Sequence, residues 1–510
     1  MKILDCTIRD GGYYTNWDFS PELIDAYFKA MNNLPVEYLE VGYRSPKLEG
    51  YHGEFYYCPE FVLNKISKLS TKKLVIILNE KDIDESIVED LLNPCQGIIT
   101  MIRLAIDPVN FERAIRLARK IKMMGFELGF NVMYMSKWKQ NPSFLSQIKL
   151  AEGVADYFYM VDSYGGVYPE DVKEIYDLVR AQISTKIGFH GHNNLELALI
   201  NSLTAIQCGA GIIDSTITGM GRGAGNLKTE LFLTALNKRT NLDVDFNALS
   251  VVTGAFTELR KKHEWGTNLP YMVSGANSLP QKQVMEWVSK RYYSINSIVR
   301  ALRSQKDTID NAYPKFVAAA KCDYAIIIGG GPTAVEKSNA VLEMLSKKKG
   351  NVAFIHASSK NSLVYAKAKG SHYYCLAGNE GDRLTSVFSE QESFSGKCVL
   401  PPAPRLMGTF VPDHLKDDTY ELEKVDFTDL VNDSHTAIAL QIAFSLNIKE
   451  CYLVGYDGYS PENIGKKEQE LFIENDLLFA QAKAAGMKLI ALTLTKYNNV
   501  TQDSVFSNFE

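Results

Sequence analysis

The stretch IGFHGHNNLELALINSLTAIQCGAGIID, residues 187–214, contains one complete strand–helix–strand unit. Ile187 to His190 and Ile212 to Asp214 are short apolar runs typical of buried strands, and Leu195 to Gln207 is helix-like. Because a helix joins the two strands, we expect them to lie parallel in one sheet. The sequence His190-Gly191-His192 ends the first strand, where parallel sheets usually place their functional residues.

The same alternation extends from the start of the chain to near residue 235. The expected strands are Ile3 to Leu4, Tyr38 to Val41, Leu74 to Leu78, Ile98 to Arg103, Glu127 to Val132, Tyr157 to Val161, Ile187 to His190 and Ile212 to Asp214. The expected helices include Pro21 to Met31, Pro108 to Met124, Pro169 to Gln182 and Leu195 to Gln207. Polar residues follow nearly every strand, which favours a closed (β/α)8 TIM barrel over an open sheet.

Two further segments are expected after a barrel domain of residues 1–235. Residues 236–321 form a helical appendage, with helices Phe246 to Lys262 and Gln281 to Leu302, whose aromatic residues suit docking on the barrel or on a second subunit. Residues 322–510 begin a new alternation and predict a doubly wound, Rossmann-like α/β domain. Its expected strands are Ala325 to Ile328, Val352 to Ile355, Tyr373 to Leu376, Cys451 to Val454 and Leu489 to Leu492.

The composition is that of an ordinary folded chain of 510 residues, 46% hydrophobic and 23% charged, with a formal net charge of −5. A mildly acidic chain has no overall electrostatic reason to bind nucleic acid or a membrane, so a small molecule is the expected partner. The eight cysteines are scattered without a CxxC pair, and neither a targeting pattern nor a long apolar run is evident. We expect a cytoplasmic protein with reduced thiols.

Three segments supply the residue types of a metal site. They are Asp10 in LDCTIRDGG, His190 and His192 in FHGHNN, and Asn226 in GMGRGAGN. Because side chains alternate along a strand, both histidines point to the same side and can reach one ion. A carboxylate and an amide oxygen would complete a mixed site that suits Mn²⁺, Mg²⁺ or Zn²⁺. The alternative is a pair of buried histidines that are only hydrogen bonded.

Five motifs in order resemble those of the DRE-TIM metallolyase superfamily, and are most similar to the 4-hydroxy-2-oxovalerate aldolases and their relatives, from residue 1 to near residue 300. The motifs are DCTIRDGG, Glu40-Val41-Gly42, Asp162-Ser163-Tyr164-Gly165, HGHNN and GMGRGAGNLKTE. The resemblance implies that Asp10, His190 and His192 bind a divalent ion and that Asn226 is a ligand or a near neighbour. It also implies that Arg9 stabilises an enolate oxygen, which agrees with the need of a pyruvate enolate for a metal and a fixed guanidinium.

The chain departs from this family at the base. The related aldolases place a histidine two positions after the RDG motif, whereas this chain has Gly12, Tyr13 and Tyr14. A phenol has a pKa of about 10, so Tyr13 can act as a base only where a cation such as the ion or Arg9 favours its ionised form. Three alternatives stay open: Tyr13 is the base, the proton goes to Tyr14, His52 or a hydroxide on the ion, or the substrate differs from that of the related aldolases.

Other polar residues are expected at the barrel mouth. Glu40 ends the second strand, and a buried carboxylate there needs a partner that Arg9 can provide. Arg103 is a candidate for binding a substrate carboxylate, and Asp162 a candidate for supporting a ligand histidine. Tyr271 loosely matches a tyrosine near the aldolase site. A purely structural role is at least as consistent with the sequence for four of these candidates: Arg103, Asn131, Asp162 and Tyr271.

Three functions fit these features. The first is a divalent-metal-dependent aldolase or lyase that works through a pyruvate enolate on 4-hydroxy-2-oxo acids, expected to be a homodimer. The second is a Claisen-type enzyme that condenses an acyl-CoA, although the long regulatory region typical of such synthases is not evident. The third is a barrel scaffold joined to a C-terminal domain that binds a nucleotide sugar or glycan. That domain loosely resembles Rossmann-type sialyltransferase-like domains, and its polar residues of interest, beside the Gly329-Gly330-Gly331-Pro332 turn, are His435, Asp457 and Lys496.

Overall fold

The structure, a computed structural model, describes the whole chain except residues 291–294, 305–312, 319–320, 390–394, 404, 406–408, 460–465 and 510. It divides into two compact units, Met1–Met285 and Glu286–Glu510. The helical segment expected over residues 236–321 is therefore shared between both units. The boundaries expected near residues 235 and 321 stay predictions.

The first unit contains a closed parallel barrel, as the sequence predicts. The strands pair in chain order, and the first pairs with the last to close the ring. They are β1 Lys2–Asp5, β2 Tyr38–Tyr43, β3 Lys73–Asn79, β4 Ile99–Ile106, β5 Glu127–Val132, β6 Tyr157–Asp162, β7 Lys186–Gly191 and β8 Ile212–Ser215. All eight expected strands are confirmed, with ends that differ by a few residues.

Helices surround this barrel and follow it in the chain. They are α1 Thr7–Thr15, α2 Pro21–Met31, α3 Glu54–Tyr57, α4 Glu60–Leu69, α5 Val88–Leu92, α6 Phe111–Met123, α7 Pro142–Gln147, α8 Pro169–Arg180, α9 Ala198–Cys208, α10 Thr229–Thr240, α11 Phe246–His263 and α12 Leu269–Ala276. Pro21 and Pro169 begin α2 and α8, because proline has no N–H to leave unsatisfied in a first turn. α13 Gln281–Lys290 begins in the first unit and ends in the second.

The interior of the barrel is packed in layers. Leu4, Val75 and Tyr159 belong to an apolar layer at its centre. On three strands, a charged residue comes two positions after a residue of this layer. Because side chains alternate along a strand, the charged side chain also points into the barrel, one layer closer to the carboxyl ends of the strands. These pairs are Tyr38 and Glu40 on β2, Met101 and Arg103 on β4, and Ile212 and Asp214 on β8. The interior therefore changes from apolar to charged toward the end where barrel sites are built.

The helices after the barrel strands dock against the barrel. Phe256 on α11 lies 6.2 Å from Tyr27 on α2, measured between ring centroids. Trp265 is buried, and its Nε1 donates a hydrogen bond of 3.1 Å to the carbonyl oxygen of Thr218. For α11 and α12 the structure thus shows docking on the barrel, one of the two arrangements expected for the aromatic segment.

The second unit contains an eight-stranded parallel sheet with the strand order β13-β12-β11-β10-β9-β14-β15-β16. Its strands are β9 Tyr324–Ile328, β10 Val352–His356, β11 Ser371–Cys375, β12 Lys397–Leu400, β13 Thr419–Glu421, β14 Glu450–Val454, β15 Lys488–Ala491 and β16 Thr501–Gln502. Its helices are α14 Ile295–Ser304, α15 Thr333–Glu336, α16 Ser338–Lys347, α17 Glu380–Val387, α18 His435–Ser445 and α19 Lys466–Ala484. The five expected strands are confirmed, whereas β12, β13 and β16 were not expected.

Within the described ranges, no helix is both long and apolar enough to cross a membrane.

Candidate functional site

The first turns of α1 bring two of the expected site residues to the carboxyl end of the barrel. Arg9 and Asp10 lie in α1, which begins directly after β1. Asp5 anchors this turn, because its carboxylate accepts hydrogen bonds from the Thr7 backbone N at 2.9 Å and from the Tyr27 hydroxyl at 2.7 Å. The buried Asp5 carboxylate thus fixes the backbone of the segment that carries Arg9.

A continuous network of charges crosses the barrel mouth. Arg9 contacts Asp10, and its Nε lies 2.6 Å from Glu40 Oε2. Arg103 Nη1 lies 3.1 Å from the other Glu40 oxygen, and its Nη2 lies 2.6 Å from Asp214 Oδ2. All five side chains are buried, and burial of charges is tolerated only where each faces an opposite charge. Burial acts to raise the pKa of Asp214, but the charge of Arg103 and the hydrogen bonds from His190 and Arg103 together outweigh it, and the pKa is lowered.

Arg103 does not take the substrate-facing position that we expected. Its side chain is 0% exposed, and its Nε donates a hydrogen bond of 2.7 Å to Asn131 Oδ1. Its three guanidinium nitrogens therefore face Asn131, Glu40 and Asp214. This geometry contradicts direct binding of a substrate carboxylate by Arg103. Asn131 likewise uses its side-chain oxygen within the network, and together they hold two carboxylates in place.

His190 and His192 lie on the same side of the chain at the end of β7, with ring centroids 5.0 Å apart. His190 Nδ1 lies 2.8 Å from Asp214 Oδ2, and His192 Nδ1 lies 2.7 Å from the backbone carbonyl oxygen of Asp162. Such partners favour a proton on Nδ1 and leave Nε2 as the lone-pair donor. Burial lowers the pKa of His192 to about 3, so its ring is neutral near pH 7.

Asp10 and Asn226 complete this cluster. Asp10 Oδ2 lies 3.8 Å from His190 Nε2 and accepts a hydrogen bond of 2.6 Å from Asn226 Nδ2. The buried Asn226 Oδ1 has no hydrogen-bond partner among the residues that the structure describes. Burial acts to raise the pKa of Asp10, but the charge of Arg9 together with neighbouring groups, among them the hydrogen bond from Asn226, outweighs it, and the pKa is lowered. The carboxylate is therefore ionised at neutral pH.

These donors fit a divalent ion. The His192 imidazole and the Asp10 carboxylate are in the deprotonated forms that bind metals. A buried amide oxygen without a partner costs about 1–3 kcal/mol, which coordination would offset. Cys6, His190 and Asp214 also have donor atoms close enough together for one ion. We favour Asp10 over the latter carboxylate, because Asp214 is already bonded to Arg103 and to His190 Nδ1. Burial raises the pKa of the Cys6 thiol, which keeps it protonated and a poor ligand.

Tyr13 lies half-buried beside this cluster, at the position of the expected base. Its hydroxyl is 3.0 Å from the Tyr43 hydroxyl, and the guanidinium carbon of Arg222 lies 4.0 Å from its ring centroid. The cation in contact with Tyr13 is thus Arg222, where the sequence suggested Arg9 or the ion. Tyr14 donates a hydrogen bond of 3.2 Å to the Gly223 carbonyl oxygen, and burial raises its pKa strongly, which makes it a poor proton acceptor.

Asp162 and Tyr271 support loops around the site. The Asp162 carboxylate accepts hydrogen bonds from the backbone N of Gly166 at 3.2 Å and of Val167 at 3.4 Å, and burial raises its pKa to about 6. Asp162 therefore supports His192 through its carbonyl rather than its carboxylate. Tyr271 is buried on α12, and its carbonyl oxygen accepts a hydrogen bond of 2.9 Å from Asn194 Nδ2. A direct role of either side chain in substrate binding or catalysis stays a prediction.

Sequence reasoning missed two residues of this site, Asp214 and Arg222. Asp214 ends β8 two positions after an interior residue, so its place at the strand end was a usable signal. Arg222 is the only charged residue in GMGRGAGN, a loop otherwise made of small and apolar residues and one asparagine. A cation placed among glycines is also a signal, because such loops bring the backbone close to a site.

The second unit has a cavity of about 500 Å³ at the carboxyl ends of its central strands. It lies where β9 separates β10 from β14, the usual position of a ligand in a doubly wound sheet. The turn at residues 329–332, His435 and Asp457 line it, and Lys496 N donates a hydrogen bond of 3.1 Å to the Asp457 carbonyl oxygen. His435 Nε2 lies 3.6 Å from the buried Glu380. The polar residues singled out in this domain are thus brought together at one cleft.

Comparison with known proteins matches residues 1–254 to the HMGL-like family model. A 4-hydroxy-2-oxovalerate aldolase from Moorella thermoacetica is 30% identical over 289 residues, which cover 54% of this chain and 82% of the relative. An oxaloacetate decarboxylase from Mycobacterium tuberculosis is 23% identical and covers 58% of this chain and 89% of the relative. The crystal structure of the N-terminal domain of a Bacteroides vulgatus protein, provisionally described as an aldolase, is 57% identical with a TM-score of 0.57, and covers 59% of this chain and 100% of that domain.

Proposed function

The chain belongs to the HMGL-like family, and from that premise we propose that its barrel is a divalent-metal-dependent aldolase working through the enolate of pyruvate. The observation that carries the proposal is the meeting of Asp10, His190, His192 and Asn226 beside Arg9. Negative charge that develops on a 2-oxo oxygen requires a Lewis acid and a fixed cation, and this cluster offers both. The substrate class is 4-hydroxy-2-oxo acids.

Asp10, His190 and His192 would hold the ion, with Asn226 as a ligand or a near neighbour. The mixed nitrogen and oxygen donors suit Mn²⁺ or Mg²⁺ best, and Zn²⁺ next. The ion, when bound, would supply Lewis-acid polarisation of the 2-oxo group. Asp214 keeps His190 in one orientation through its bond to Nδ1, so that Nε2 stays directed toward Asp10.

Arg9 stabilises the enolate oxygen in this proposal. Its guanidinium is fixed by Asp10 and Glu40, so little reorganisation is needed when charge develops. Burial acts to lower the pKa of Arg9, but these two carboxylates outweigh it and raise the pKa well above the usual value. Glu40 touches Arg9 and Arg103 rather than the reacting atoms, and is therefore a positioning residue.

Tyr13 is the proposed base that takes the proton of the 4-hydroxyl group as the C3–C4 bond breaks. Its place beside the cluster and its contact with the Arg222 guanidinium support this role. The enolate carbon must then receive a proton. Tyr271 is the proposed donor, since burial raises its pKa strongly and keeps its hydroxyl protonated.

Metal removal tests the proposal. Purified protein should bind one divalent ion per barrel and exchange the C3 protons of pyruvate with solvent deuterium when Mn²⁺ is present. His192→Ala should lose the bound metal and lower the exchange rate by about 100-fold or more, because ligand loss removes a charged, partly desolvated site. The matched control is His414→Ala, since His414 is exposed in the second unit. Full exchange by metal-depleted His192→Ala would refute the metal-dependent function.

The cleft of the second unit supports a second candidate function, the binding of a nucleotide sugar or glycan. A cavity at this position of a doubly wound sheet, with His435 and Glu380 facing each other beside it, is suited to a polar ligand. Calorimetry of the full chain with a panel of nucleotide sugars tests this. Binding that survives His435→Ala unchanged would place the ligand elsewhere.

A further inference from the structure

Arg222 stands at the barrel mouth with part of its binding capacity unused. It lies in the loop of residues 219–226 between β8 and α10, stacked 4.0 Å from the centroid of the Tyr13 ring. Its charge is close enough to act on Tyr134 and His192. A guanidinium has five N–H donors in its plane, and contact with Tyr13 through the ring and hydroxyl leaves several of them for other partners. Arg222 can therefore contact Tyr13 and bind an anion at the same time.

Three other arginines at this end of the barrel are bonded to carboxylates or to backbone carbonyl oxygens. Arg9 and Arg103 pair with buried carboxylates, and Arg44 donates from Nε to the Leu91 carbonyl oxygen at 2.7 Å. Arg222, by contrast, forms no ion pair with any residue in the described part of the chain. A half-buried cation without a carboxylate partner, next to a proposed active site, is the feature that calls for a ligand.

The loop holds the backbone of Arg222 in one conformation. Gly225 N donates to the Arg222 carbonyl oxygen at 3.1 Å, and Asn226 N donates to the Gly219 carbonyl oxygen at 3.1 Å. Gly225 has φ +77, and a Cβ there would lie 2.0 Å from the Gly219 carbonyl oxygen. Because the chain is tightly folded on itself here, the side chain extends from a fixed point and loses less entropy on binding.

Resting on the function proposed above, we propose that Arg222 binds a second anionic group, a carboxylate or a phosphate, at the end of the substrate away from the reacting carbon. Exposure rises from Arg103 at 0% through Arg9 at 7% to the half-buried Arg222. A substrate held at the buried cluster extends in this direction toward solvent. A partly desolvated guanidinium binds carboxylates and phosphates strongly and binds neutral groups poorly. The substrate is then a 4-hydroxy-2-oxo acid with a second acid group, and the aldehyde product carries that group.

Aldol addition of pyruvate to three aldehydes tests this with the Mn²⁺-loaded full chain. Succinic semialdehyde carries a carboxylate, glyceraldehyde 3-phosphate carries a phosphate, and butanal is neutral. We expect kcat/KM for one of the two anionic aldehydes to exceed that for butanal by roughly tenfold to a hundredfold, the range that a charge-assisted pair supplies. Arg222→Gln should abolish this preference, and Arg222→Lys should retain part of it. The anion that is preferred identifies the second acid group.

Two results would overturn the inference. One is a wild-type enzyme without any preference for an anionic aldehyde. The other is a loss in Arg222→Gln that is equal for all three aldehydes, which would limit Arg222 to a role that every substrate shares, such as its contact with Tyr13. A wild-type protein that neither exchanges the C3 protons of pyruvate nor uses any aldehyde refutes the proposed function instead. Calorimetry then still decides the role of Arg222. The wild-type protein should bind 2-oxoglutarate more tightly than 2-oxopentanoate, and Arg222→Gln should not show this difference in affinity.

Discussion

At the residue scale, the site depends on which partner each ionisable group receives. Arg103 and Arg222 are both arginines at the barrel mouth, yet Arg103 is fully paired with carboxylates and Arg222 is stacked on a phenol. The pairing of Arg103 stabilises the network of buried charges, because removal of one partner would leave the others uncompensated. The position of Arg222 on the Tyr13 ring leaves the charge of its guanidinium available to a ligand or to the phenol. The same residue type therefore has two different environments within one site.

Tyr13 is the residue on which the proposed proton transfer depends. If it is the base, Tyr13→Phe should lower kcat for 4-hydroxy-2-oxo acids by about 100-fold or more, the usual contribution of a general base. Metal binding and pyruvate binding should be retained, because the ring remains in place over Arg222. The activity of the wild type should rise with pH beyond the range in which a histidine titrates. Stopped-flow measurement of the pH profile for both proteins checks this.

Tyr43→Phe is the matched control for Tyr13→Phe, because the two hydroxyls are hydrogen bonded to each other at 3.0 Å. Burial raises the pKa of Tyr43 well above its usual value, so this residue stays protonated and its loss should reduce the rate far less. A wild-type pH profile that is unchanged in Tyr13→Phe would exclude Tyr13 as the base. His52, stacked on Tyr56 with ring centroids 4.4 Å apart, would then be the next candidate.

At the scale of elements, the glycine-rich loop after β8 determines where Asn226 and Arg222 lie. Gly225→Ala should disturb the loop, because its φ of +77 is unfavourable for alanine and its Cβ would meet the Gly219 carbonyl oxygen. We expect a loss of about 2–4 kcal/mol in the free energy of unfolding and a marked loss of metal affinity. Urea unfolding and a metal titration measure the two effects.

The control for this change is Gly254→Ala in the middle of α11. Gly254 is exposed, and a Cβ there meets nothing within 4 Å. Alanine is favoured over glycine in a helix by about 1 kcal/mol, so this variant should be slightly more stable than the wild type with unchanged metal binding. Equal metal affinity of the two variants would show that the loop conformation does not control Asn226.

The elements themselves differ in how well the sequence predicts them. Barrel strands such as Glu127–Val132 are predictable, because they are short, buried and bounded by helical segments. The helix α1 is not, because TIRDGGYYT contains two glycines and its start depends on the tertiary hydrogen bonds of Asp5. The strand Thr501–Gln502 is two exposed residues long and has no apolar pattern to reveal it.

The site, like the fold, contains some features that the sequence predicts and others that it does not. The meeting of Asp10, His190 and His192, the proposed ligand set, could be predicted because their residue types and their positions after strands are typical of a metal site. The pairing of Arg103 with Asp214 could not, because these residues are 111 positions apart and meet only when the barrel closes. The closing of the barrel also explains why Arg103 was expected to bind the substrate. The sequence shows that a cation lies near a strand end, but it does not show which carboxylates pair with that cation.

At the scale of the whole molecule, the chain joins two parallel architectures, a closed barrel and an open sheet. Both place polar residues at the carboxyl ends of their strands, because there the loops rather than the packed helices define the surface. The barrel could be predicted from its eight repeats, and the second sheet only in part. The edge strand β13 and its neighbour β12 are three and four residues long, too short for a clear pattern.

The structure indicates where the second unit can be separated. Residues 314–316 pair with β13: Glu421 N donates to the Pro314 carbonyl oxygen at 2.9 Å, and Phe316 N donates to the Glu421 carbonyl oxygen at 2.8 Å. Lys315 Nζ lies 2.6 Å from Glu421 Oε1, and the Phe316 ring packs edge-on against Tyr373 with centroids 5.6 Å apart. A cut at residue 322, the boundary expected from the sequence, removes these contacts.

We therefore expect fragments 322–510 and 313–510 both to fold, with the longer one more stable by about 2–3 kcal/mol, from two backbone hydrogen bonds and one aromatic contact. Urea unfolding followed by circular dichroism measures the difference. Phe316→Ala in the longer fragment should remove about half of it, whereas Val317→Ala should not, because Val317 is 72% exposed. Equal stability of the two fragments would mean that residues 313–321 do not pair with β13 in solution. If neither fragment unfolds cooperatively, the second unit depends on the first for its fold, and its cleft must then be studied only in the full chain.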